Sequence, residues 1–437
     1  MEEPTDPITP PVKAPVDACA VAPEASLEAI AAPPTTPTRS GALRSRLGGM
    51  PRQFWVLWTG TVVNRTATFV RPFLVLYLTG SLHVSLATAG AVLSASGFGS
   101  LVSQPLGGFL ADRYGRRWTL VGGMLGTAAS ELWIGYSPSI AVTFMAAVVF
   151  GLLVDLYRPA IQAMVADLVP PADRPRAYGL LFWAINLGFS IAMVLGGLLA
   201  QRGFIWLFWA DALTCVFFGL LVLRAVPETR PPRVAGRPGP TFRVVLADRP
   251  MLALAGLALV YASVYNQSTS GLPLAMRQAG LSAAAYGLTV AVNGVVIVLV
   301  QPLTVNWLTR RDHSRVIAAG QLLVGLGFGL TQVAGNVPEY MATVVVWTLG
   351  EIATFTMTSA LVADLAHRDM RGRYQGLLGL AWGGGGLIAP FVGASVLQDV
   401  GGHWLWSACA VIGVLLATGQ LALGPSIRRR RARVAGT

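Results

Sequence analysis

Charged residues are scarce in this sequence: Asp, Glu, Lys and Arg make up only 12% of its 437 residues, whereas soluble domains average about 25%. Apolar residues make up 54%, and the mean hydropathy is +0.60. A chain this apolar cannot build the solvated basic face of a nucleic-acid-binding protein, although its formal net charge is +12. It also leaves no room for a large soluble catalytic domain, so we expect a membrane protein that is not an enzyme.

Cysteine and histidine are also few. The cysteines Cys19, Cys215 and Cys409 cannot form a disulfide framework, and the four histidines lie in loops or at the ends of apolar stretches. With no Cys/His cluster we expect no metal site. With no Walker-type loop we expect no direct use of ATP, and nothing in the sequence indicates another cofactor.

Apolar stretches long enough to cross a bilayer recur along the chain. A transmembrane helix needs about 20 apolar residues, and a window of about 19 residues predicts twelve spans. Residues 225–249, rich in proline and arginine, separate the first six spans from the last six, so we expect bundles at 51–224 and 250–427 joined by a cytoplasmic linker. The spans are 53–79, 85–110, 118–136, 139–165, 176–200, 204–224, 250–276, 282–308, 315–335, 339–364, 374–398 and 403–425.

The basic residues predict the orientation of these spans. Of the 32 Lys and Arg residues, 27 lie on one side, two lie on the other side and three lie within spans. Because cytoplasmic loops carry the excess of Lys and Arg, we expect a cell-membrane protein with both termini in the cytoplasm. Residues 1–50 are expected to form a disordered tail and 428–437 a basic tail, with contact between 428–431 and anionic lipid as an open alternative.

An internal repeat supports the division into two bundles. At an offset of 197 residues, Gln104-Pro105-Leu106 aligns with Gln301-Pro302-Leu303, and 166–181 matches 363–378 at eight of sixteen positions. Because six is an even number of spans, both bundles enter from the same side and are related by a pseudo-two-fold axis along the membrane normal. Such an architecture predicts a site between the bundles that opens alternately to each side.

The loop between the second and third spans combines glycine, aspartate and arginine. Gly115 permits a tight turn, Asp112 can face the N-terminus of a neighbouring helix, and the arginines can pair with an acid such as Asp167. Such a cluster can latch one conformation and release another. The alternative is that these charges only set the topology. The motif reads Gly108-Phe-Leu-Ala-Asp112-Arg113-Tyr-Gly115-Arg116-Arg117.

This motif resembles the G-x-x-x-D-R-x-G-R-R signature loop of the major facilitator superfamily, and it stands where that family has it. With the spans, the linker and the repeat, the resemblance covers roughly residues 50–430. It implies an all-α membrane protein with twelve transmembrane helices in two six-helix pseudo-symmetric halves. It also implies that the signature loop serves conformational switching rather than substrate binding.

The fifth span bears on the direction of transport. The family's antiporter signature is a glycine-rich run ending in G-P-x-x-G-G, and the matching stretch from Gly188 to Gly197 lacks the proline. Small residues at these spacings also allow close helix packing, with no further role. The resemblance to drug:proton antiporters implies proton-coupled efflux of amphipathic small molecules. The missing proline keeps open a proton symporter for a peptide, sugar or organic acid. A receptor or scaffold is the third alternative, and it gives no reason for the repeat.

Ionisable residues within the spans are candidates for proton coupling, because placing them in a membrane is costly. At 1.5 Å per residue, Arg65 lies roughly 17 Å and Asp155 roughly 15 Å from the cytoplasmic edges of their helices, so the two can meet. The hypothesis is that Asp155 alternates between a protonated form and one paired with Arg65, and the alternative is a static ion pair. Arg158 matches the arginine that the fourth span of drug exporters typically carries.

Glu351 in the tenth span lies near the midplane, with Trp347 one turn away on the same face. The spans of the second bundle offer it no basic partner, which favours a protonated acid. We expect a proton or cationic-substrate site, and the alternative is a protonated packing residue. Glu131 and Asp211 are expected to be partly hydrated or paired in the outer halves of their helices.

Polar and aromatic residues of the spans supply a candidate substrate cavity. Tyr261 and Tyr265 are four residues apart and share a helix face. For each candidate the alternative is interhelical packing. The expected partners are a small-molecule substrate, protons and membrane lipids, with no nucleic acid, and we expect a monomer. The cavity candidates are Asn64, Arg71, Tyr261, Tyr265, Asn266, Gln267, Asn293, Trp347 and Trp382.

Overall fold

The computed structural model describes residues 50–170, 173–229, 243–365 and 371–435. Most of the predicted tail 1–50 and the middle of the predicted linker lie outside these ranges. Every regular element within them is a helix, as expected: sixteen α-helices and two 3₁₀ turns. They are α1 Arg52–Arg65, α2 Val70–Gly80, α3 Leu86–Tyr114, α4 Arg116–Gly135, α5 Ile140–Val154, α6 Tyr157–Leu168, α7 Arg174–Arg202, α8 Ile205–Ala225, α9 Arg243–Ala247, α10 Arg249–Tyr265, α11 Gly271–Gln278, α12 Ala283–Leu308, α13 His313–Leu330, α14 Val337–Leu365, α15 Arg371–Asp399 and α16 Gly402–Ala435, with 3₁₀ turns Asn266–Ser268 and Thr331–Val333.

Nine helical stretches in the described ranges are long and apolar enough to cross a membrane. The first, third and seventh predicted spans are not among the nine. The first and seventh are each divided into two shorter helices, α1 with α2 and α10 with α11. The third, α4, is rich in glycine, serine and threonine. Interruptions and polar composition, rather than missing helices, account for the difference.

The interruption in the first predicted span has local and distant causes. The hydroxyl groups of Thr66 and Thr68 donate to backbone oxygens of the preceding turn, which competes with regular helix hydrogen bonds. Across the bundle, Oδ2 of Asp211 on α8 accepts hydrogen bonds from the backbone N–H groups of Phe69 at 2.9 Å and Val70 at 3.1 Å. The carboxylate satisfies N–H groups that the start of a helix leaves free, so it stabilises a new helix start at Val70.

The fourth and seventh predicted spans are interrupted in a similar way. α5 ends at Val154, and two residues separate it from the start of α6 at Tyr157. α10 ends at Tyr265, and a 3₁₀ turn precedes α11. Pro159 and Pro273 lie in the first turns of α6 and α11, where the lack of an N–H group costs no helix hydrogen bond. The interruptions place Asp155 and Tyr265 at bends.

The helices before the linker pack mainly on one another, as do the helices after it. α1 lies against α7 and α8, α3 against α5, and α4 against α8. After the linker, α13 lies against α14 and α16, and α10 against α15 and α16. We call α1–α8 the first group and α10–α16 the second group.

Two helix pairs make the largest contacts between the groups: α3 packs along α15, and α7 packs along α12. A Cβ atom at Gly97 would lie 2.5 Å from the backbone oxygen of Gly386, and one at Gly287 would lie 2.1 Å from that of Met193. Both distances are too short for a side chain. Glycine therefore permits the helix backbones of the two groups to approach closely.

The two ends of the helix bundle carry different contacts. At one end lie the loop between α3 and α4 and the start of α13, where Nη1 of Arg428 is 3.3 Å from Oδ2 of Asp312. We call this the basic end. At the opposite end, Arg277 on α11 donates a hydrogen bond to the hydroxyl group of Thr79 on α2, which links the two groups.

Candidate substrate and proton site

A buried carboxylate, Asp155, lies between Arg71 and Arg158 at the bend between α5 and α6, and we call these three residues the arginine site. Asp155 is 6% exposed. Its Oδ2 is 3.2 Å from Nη1 of Arg71, and its Oδ1 is 2.8 Å from Nε of Arg158. Among the described residues, no other carboxylate lies within ion-pair distance of either guanidinium group. Two positive charges therefore share one negative charge.

Arg65 is not the ion-pair partner of Asp155 that the depth argument suggested. Its guanidinium group donates to the hydroxyl group of Tyr157 and lies over that ring, with Cζ 5.7 Å from the ring centroid. Since α1 ends at Arg65 and α2 begins only at Val70, the guanidinium group that reaches Asp155 is that of Arg71. The interrupted helix is the physical reason for the different partner.

Arg71 and Arg158 face an accessible space. The other residues of α2 from Val70 to Thr79 are buried, whereas the side chain of Arg71 is 42% exposed. The side chain of Arg158 is 44% exposed. This exposure leaves both guanidinium groups accessible to water or to a polar ligand.

Glu351 on α14 is surrounded by neutral donors. It is 7% exposed. The hydroxyl group of Tyr265 donates to its Oε1 at 2.8 Å, and Nδ2 of Asn293 donates to its Oε2 at 2.6 Å. Within the described part of the chain it has no basic partner. The structure thus brings together Glu351 and two of the predicted cavity residues.

Four aromatic side chains form a cluster beside Glu351, which we call the aromatic cluster: Tyr261, Tyr265, Phe355 and Trp382. The rings of Tyr261 and Tyr265 are stacked with centroids 6.3 Å apart, and those of Phe355 and Trp382 are 4.8 Å apart. Phe355 is 39% exposed. The sequence reasoning missed Phe355, although it follows Glu351 by four residues and so shares its helix face.

The arginine site and Glu351 lie at one level of the bundle. A Cβ atom at Gly188 of α7 would lie 2.5 Å from Cβ of Arg65, so this turn of α7 touches the end of α1. Gly294 of α12 contacts the same turn of α7. Its neighbour Asn293 donates to Glu351. The two sites therefore lie on either side of the contact between α7 and α12.

Several predicted cavity residues have contacts of their own. Asn64 is 5% exposed and packs toward α8. Gln267 is 4% exposed and donates to the backbone oxygen of Ala389 at 3.0 Å. Trp347 is 1% exposed. These contacts match the packing alternative, whereas Asn266 is half-buried and donates only within its own helix turn, to a backbone oxygen.

The predicted switch loop is a tight turn held by ionic contacts. Gly115 has a φ of +113°, in the left-handed region that favours glycine. Arg116 forms an ion pair with Asp167, and Arg117 donates to a backbone oxygen at the end of α8. The guanidinium group of Arg113 lies over two neighbouring aromatic rings, 5.8 and 5.7 Å from their centroids. The turn thus connects α3 and α4 to α6 and α8.

The N-terminus of α4 is met by Glu228 rather than by Asp112. The carboxylate of Glu228 accepts hydrogen bonds from the backbone N–H groups of Arg116 at 2.8 Å and Arg117 at 3.1 Å. Asp112 still belongs to α3 and is exposed, so it does not cap the next helix. Gly108 has open space beside it, with no atom within 4 Å of a Cβ position. Glu228 lies in the predicted linker, and the pattern of charges in the sequence did not predict its contact with α4.

A second acidic site lies in the first group. Glu131 and Asp211 are 1% and 3% exposed, so both carboxyl groups are buried in the protein. With Sγ of Cys215 they place potential ligand atoms within 4.8 Å of one another. The sequence predicted no metal site because it has no Cys/His cluster. Their similar depth in the third and sixth spans was the one sequence signal for this pairing.

The chain matches the model of the Major Facilitator Superfamily over residues 57–304 and 257–435. It is 29% identical over 340 residues to the multidrug resistance protein MdtH of Aeromonas salmonicida (strain A449), covering 75% of this chain and 84% of that protein. It is 24% identical over 366 residues to a Na(+), Li(+), K(+)/H(+) antiporter of Planococcus maritimus, covering 75% of this chain and 85% of that protein.

A solved structure shares the fold. The crystal structure of a POT family transporter in complex with a thioalcohol-conjugated peptide matches with a TM-score of 0.74, covering 88% of this chain and 98% of that chain. The sequence identity is 15%, so this likeness bears on the fold alone. The membrane-capable helices and the matched transporters indicate an integral membrane protein. From the family match over most of its length, the chain belongs to the Major Facilitator Superfamily.

Proposed function

We propose that this transporter exports amphipathic small molecules in exchange for protons, by alternating access. The observation that carries the proposal is Asp155, a buried carboxylate that two half-exposed arginines share at a helix bend. A proton on Asp155 removes the charge that neutralises Arg71 and Arg158. Protonation is thereby linked to the arrangement of α2 and α6, which carry these arginines.

The proposed architecture has twelve membrane spans in two pseudo-symmetric six-helix halves, 51–224 and 250–427. The interrupted pairs α1–α2 and α10–α11 each count as one span, and α4 counts as a span. The linker 225–249 joins the halves, and 1–50 and 428–437 are tails. The excess of Lys and Arg supports a cell-membrane protein with the basic end and both termini in the cytoplasm.

Contacts between the two groups support a state that is closed at the end opposite the basic end. There Arg277 donates to Thr79, and the backbone N–H of Ala87 on α3 donates to Oε1 of Gln398 on α15 at 3.0 Å. These hydrogen bonds must break when the site opens to this end. At the basic end, the ion pair between Arg116 and Asp167 within the first group is proposed to change during the cycle as well.

Export is supported by the relatives and by the cavity lining. MdtH is named a multidrug resistance protein, and the Planococcus relative is named an antiporter that exchanges cations for protons. The partly exposed aromatic cluster offers apolar surface to the non-polar part of a substrate, while Arg71 and Arg158 offer hydrogen-bond donors. Amphipathic molecules have both parts.

Glu351 is proposed as a further proton site. Both of its oxygens already accept hydrogen bonds from Tyr265 and Asn293. Because Glu351 is only 7% exposed, a cationic substrate has little carboxylate surface to contact, whereas a proton needs only one free lone pair. This favours a proton over a cationic substrate at Glu351.

Proton symport is the second candidate, and the arginine pair favours it for one class of substrate. An anionic substrate, such as an organic acid or a peptide carboxylate, would compete with Asp155 for Arg71 and Arg158. Asp155 without its cationic partners binds a proton more readily, so the anion and the proton would bind together. Neutral substrates do not compete in this way.

Flux in vesicles with an imposed pH gradient distinguishes the candidates. The purified full-length chain is reconstituted, the pH gradient is directed inward, and dyes or antibiotics of neutral, cationic and anionic character are followed. Movement of substrate against the proton gradient supports export, and accumulation with the gradient supports symport. The absence of any gradient-driven flux would contradict both.

The Asp155→Asn variant tests the coupling role. We expect it to move substrate down its own gradient but to respond more weakly to the pH gradient than the wild type. The matched control is Asp312→Asn, because Asp312 also pairs with an arginine but lies at the basic end. Asparagine can still cap the start of α13, so the control should behave like the wild type. Asp155→Asn with a normal response to the pH gradient would contradict the proposal.

A further inference from the structure

Glu131 and Asp211 form a buried carboxyl pair that the cycle described above does not use. Glu131 lies on α4 and Asp211 on α8. Within the described ranges, neither carboxyl group forms an ion pair with a basic side chain. Two adjacent carboxylates that are both ionised and buried are strongly unfavourable. The pair therefore holds a proton in the folded protein.

The hydrogen bonding of the pair points to the same conclusion. Carboxyl oxygen atoms of Glu131 and Asp211 lie within 4.8 Å of each other, and ionised carboxylates can only accept hydrogen bonds. No donor among the described residues reaches Oε2 of Glu131. A proton on one of the two groups supplies the missing donor, and its loss leaves buried acceptors facing each other.

Asp211 also connects the pair to the arginine site. Its Oδ2 accepts the backbone N–H groups of Phe69 and Val70 at the start of α2. Arg71, the next residue, forms the ion pair with Asp155. An ionised carboxylate binds N–H groups more strongly than a protonated one. The proton content of the pair thus affects how firmly the first turn of α2 is held.

Other titratable and charged groups around Asp211 come from α1, α4 and α8. Arg65 at the end of α1 interacts with Asp211 electrostatically. The thiol of Cys215 on α8 is 3.9 Å from Oδ1 of Asp211 and accepts a hydrogen bond from Asn64. Glu131 is the neighbour on α4. Glu131 is therefore the acid with which Asp211 shares a proton.

We propose that the pair of Glu131 and Asp211 is a second proton-binding site, and that Asp211 is a positioning residue that acts through α2 on Arg71. Binding of a proton loosens the hold of Asp211 on α2, and release of the proton tightens it. The link to the transport cycle rests on the proposed proton-coupled function. The protonation of the pair itself does not depend on that function.

A proton fits this site better than a metal cation, although the two carboxylates and Cys215 lie close together. Oδ2 of Asp211 is already committed to two backbone N–H groups. A thiol is also a poor ligand for alkali and alkaline-earth cations, which prefer oxygen. Binding of Na⁺ is nevertheless an outcome that the experiment can detect.

Infrared spectroscopy of the full-length protein in lipid vesicles tests the proton directly. We expect the wild type at neutral pH to show a C=O band of a protonated carboxyl group that Glu131→Gln lacks and Asp312→Asn keeps. Asp211→Asn should also change this band. A wild-type spectrum identical to that of Glu131→Gln, or loss of the band on adding Na⁺, would overturn the proposal. Since the spectrum needs no flux, it can support the site even if coupled transport fails.

The ratio of protons to substrate moved tests the role in the cycle. We expect Glu131→Gln and Asp211→Asn each to lower this ratio by about one proton, because one proton-binding group is lost. Glu131→Asp should restore it. A merely structural role would lower the amount of folded protein but leave the ratio unchanged, and an unchanged ratio in folded Asp211→Asn would overturn the positioning role.

Discussion

At the scale of residues, the position of a residue along its membrane span predicted only part of the ion-pair site around Asp155. Depth alone brought Arg65 and Asp155 together, and both do lie near one level of the bundle. The actual ion-pair partners, Arg71 and Arg158, depend on where α2 and α6 begin. The start of α2 depends on Asp211, which lies more than 130 residues away in sequence from Arg71. A single-sequence pattern contains no signal for such a contact.

Substitutions of the adjacent amide residues Asn266 and Gln267 can distinguish a packing role from contact with the substrate. Gln267 is buried and hydrogen-bonded to α15, so Gln267→Leu should lower the free energy of unfolding by about 1–2 kcal/mol. We expect its KM for substrate to stay at the wild-type value. Asn266→Leu should show the reverse, a changed KM with little loss of stability, because Asn266 is half-buried and hydrogen-bonds only within its own turn.

Thermal unfolding in detergent and initial transport rates in vesicles measure the two effects. A normal unfolding temperature for Gln267→Leu together with a raised KM would place Gln267 in the substrate site and contradict the packing role.

At the scale of helices, nine of the twelve predicted spans correspond to membrane-capable helices in the described ranges, and the interruptions were not predicted. α1–α2 and α10–α11 each read as one continuous span in the sequence, since a break of four or five residues changes the mean hydropathy of a long window very little. The polar groups of these breaks are satisfied by distant side chains such as Asp211. The glycines of α7, by contrast, were recognised as packing residues, and Gly188 and Gly197 do lie at close contacts.

Two glycines of α7 provide a matched test of the contact between the groups. A Cβ atom at Gly197 would lie 2.8 Å from Cα of Ala284 on α12, whereas one at Gly179 would have no atom within 4 Å. Gly197→Ala must therefore push α7 and α12 apart. We expect it to slow transport about tenfold, which corresponds to about 1.4 kcal/mol, while Gly179→Ala keeps the wild-type rate.

Transport rates per folded protein in vesicles measure this difference. Equal rates for Gly197→Ala and Gly179→Ala would mean that the close approach of α7 and α12 is not required for the cycle.

At the scale of the whole molecule, the family could be inferred from the sequence because its signature loop, charge distribution and repeat are all local or periodic patterns. The aromatic cluster and the carboxyl pair could not be inferred from the sequence, because each combines residues from helices that are distant in sequence. Arg71, Arg158 and Asp155 lie in the first group, and Tyr265, Glu351 and Trp382 lie in the second. A substrate held between them would contact both groups, as alternating access requires.

The proton movement that accompanies substrate flux tests the central claim, that Asp155 couples protons to substrate. Vesicles with equal internal and external pH receive a substrate gradient, and an internal pH indicator reports proton movement. The account predicts that wild-type protein drives protons opposite to the substrate, and that Asp155→Asn moves fewer protons for each molecule of substrate. Proton movement in Asp155→Asn at the wild-type ratio to substrate would contradict it.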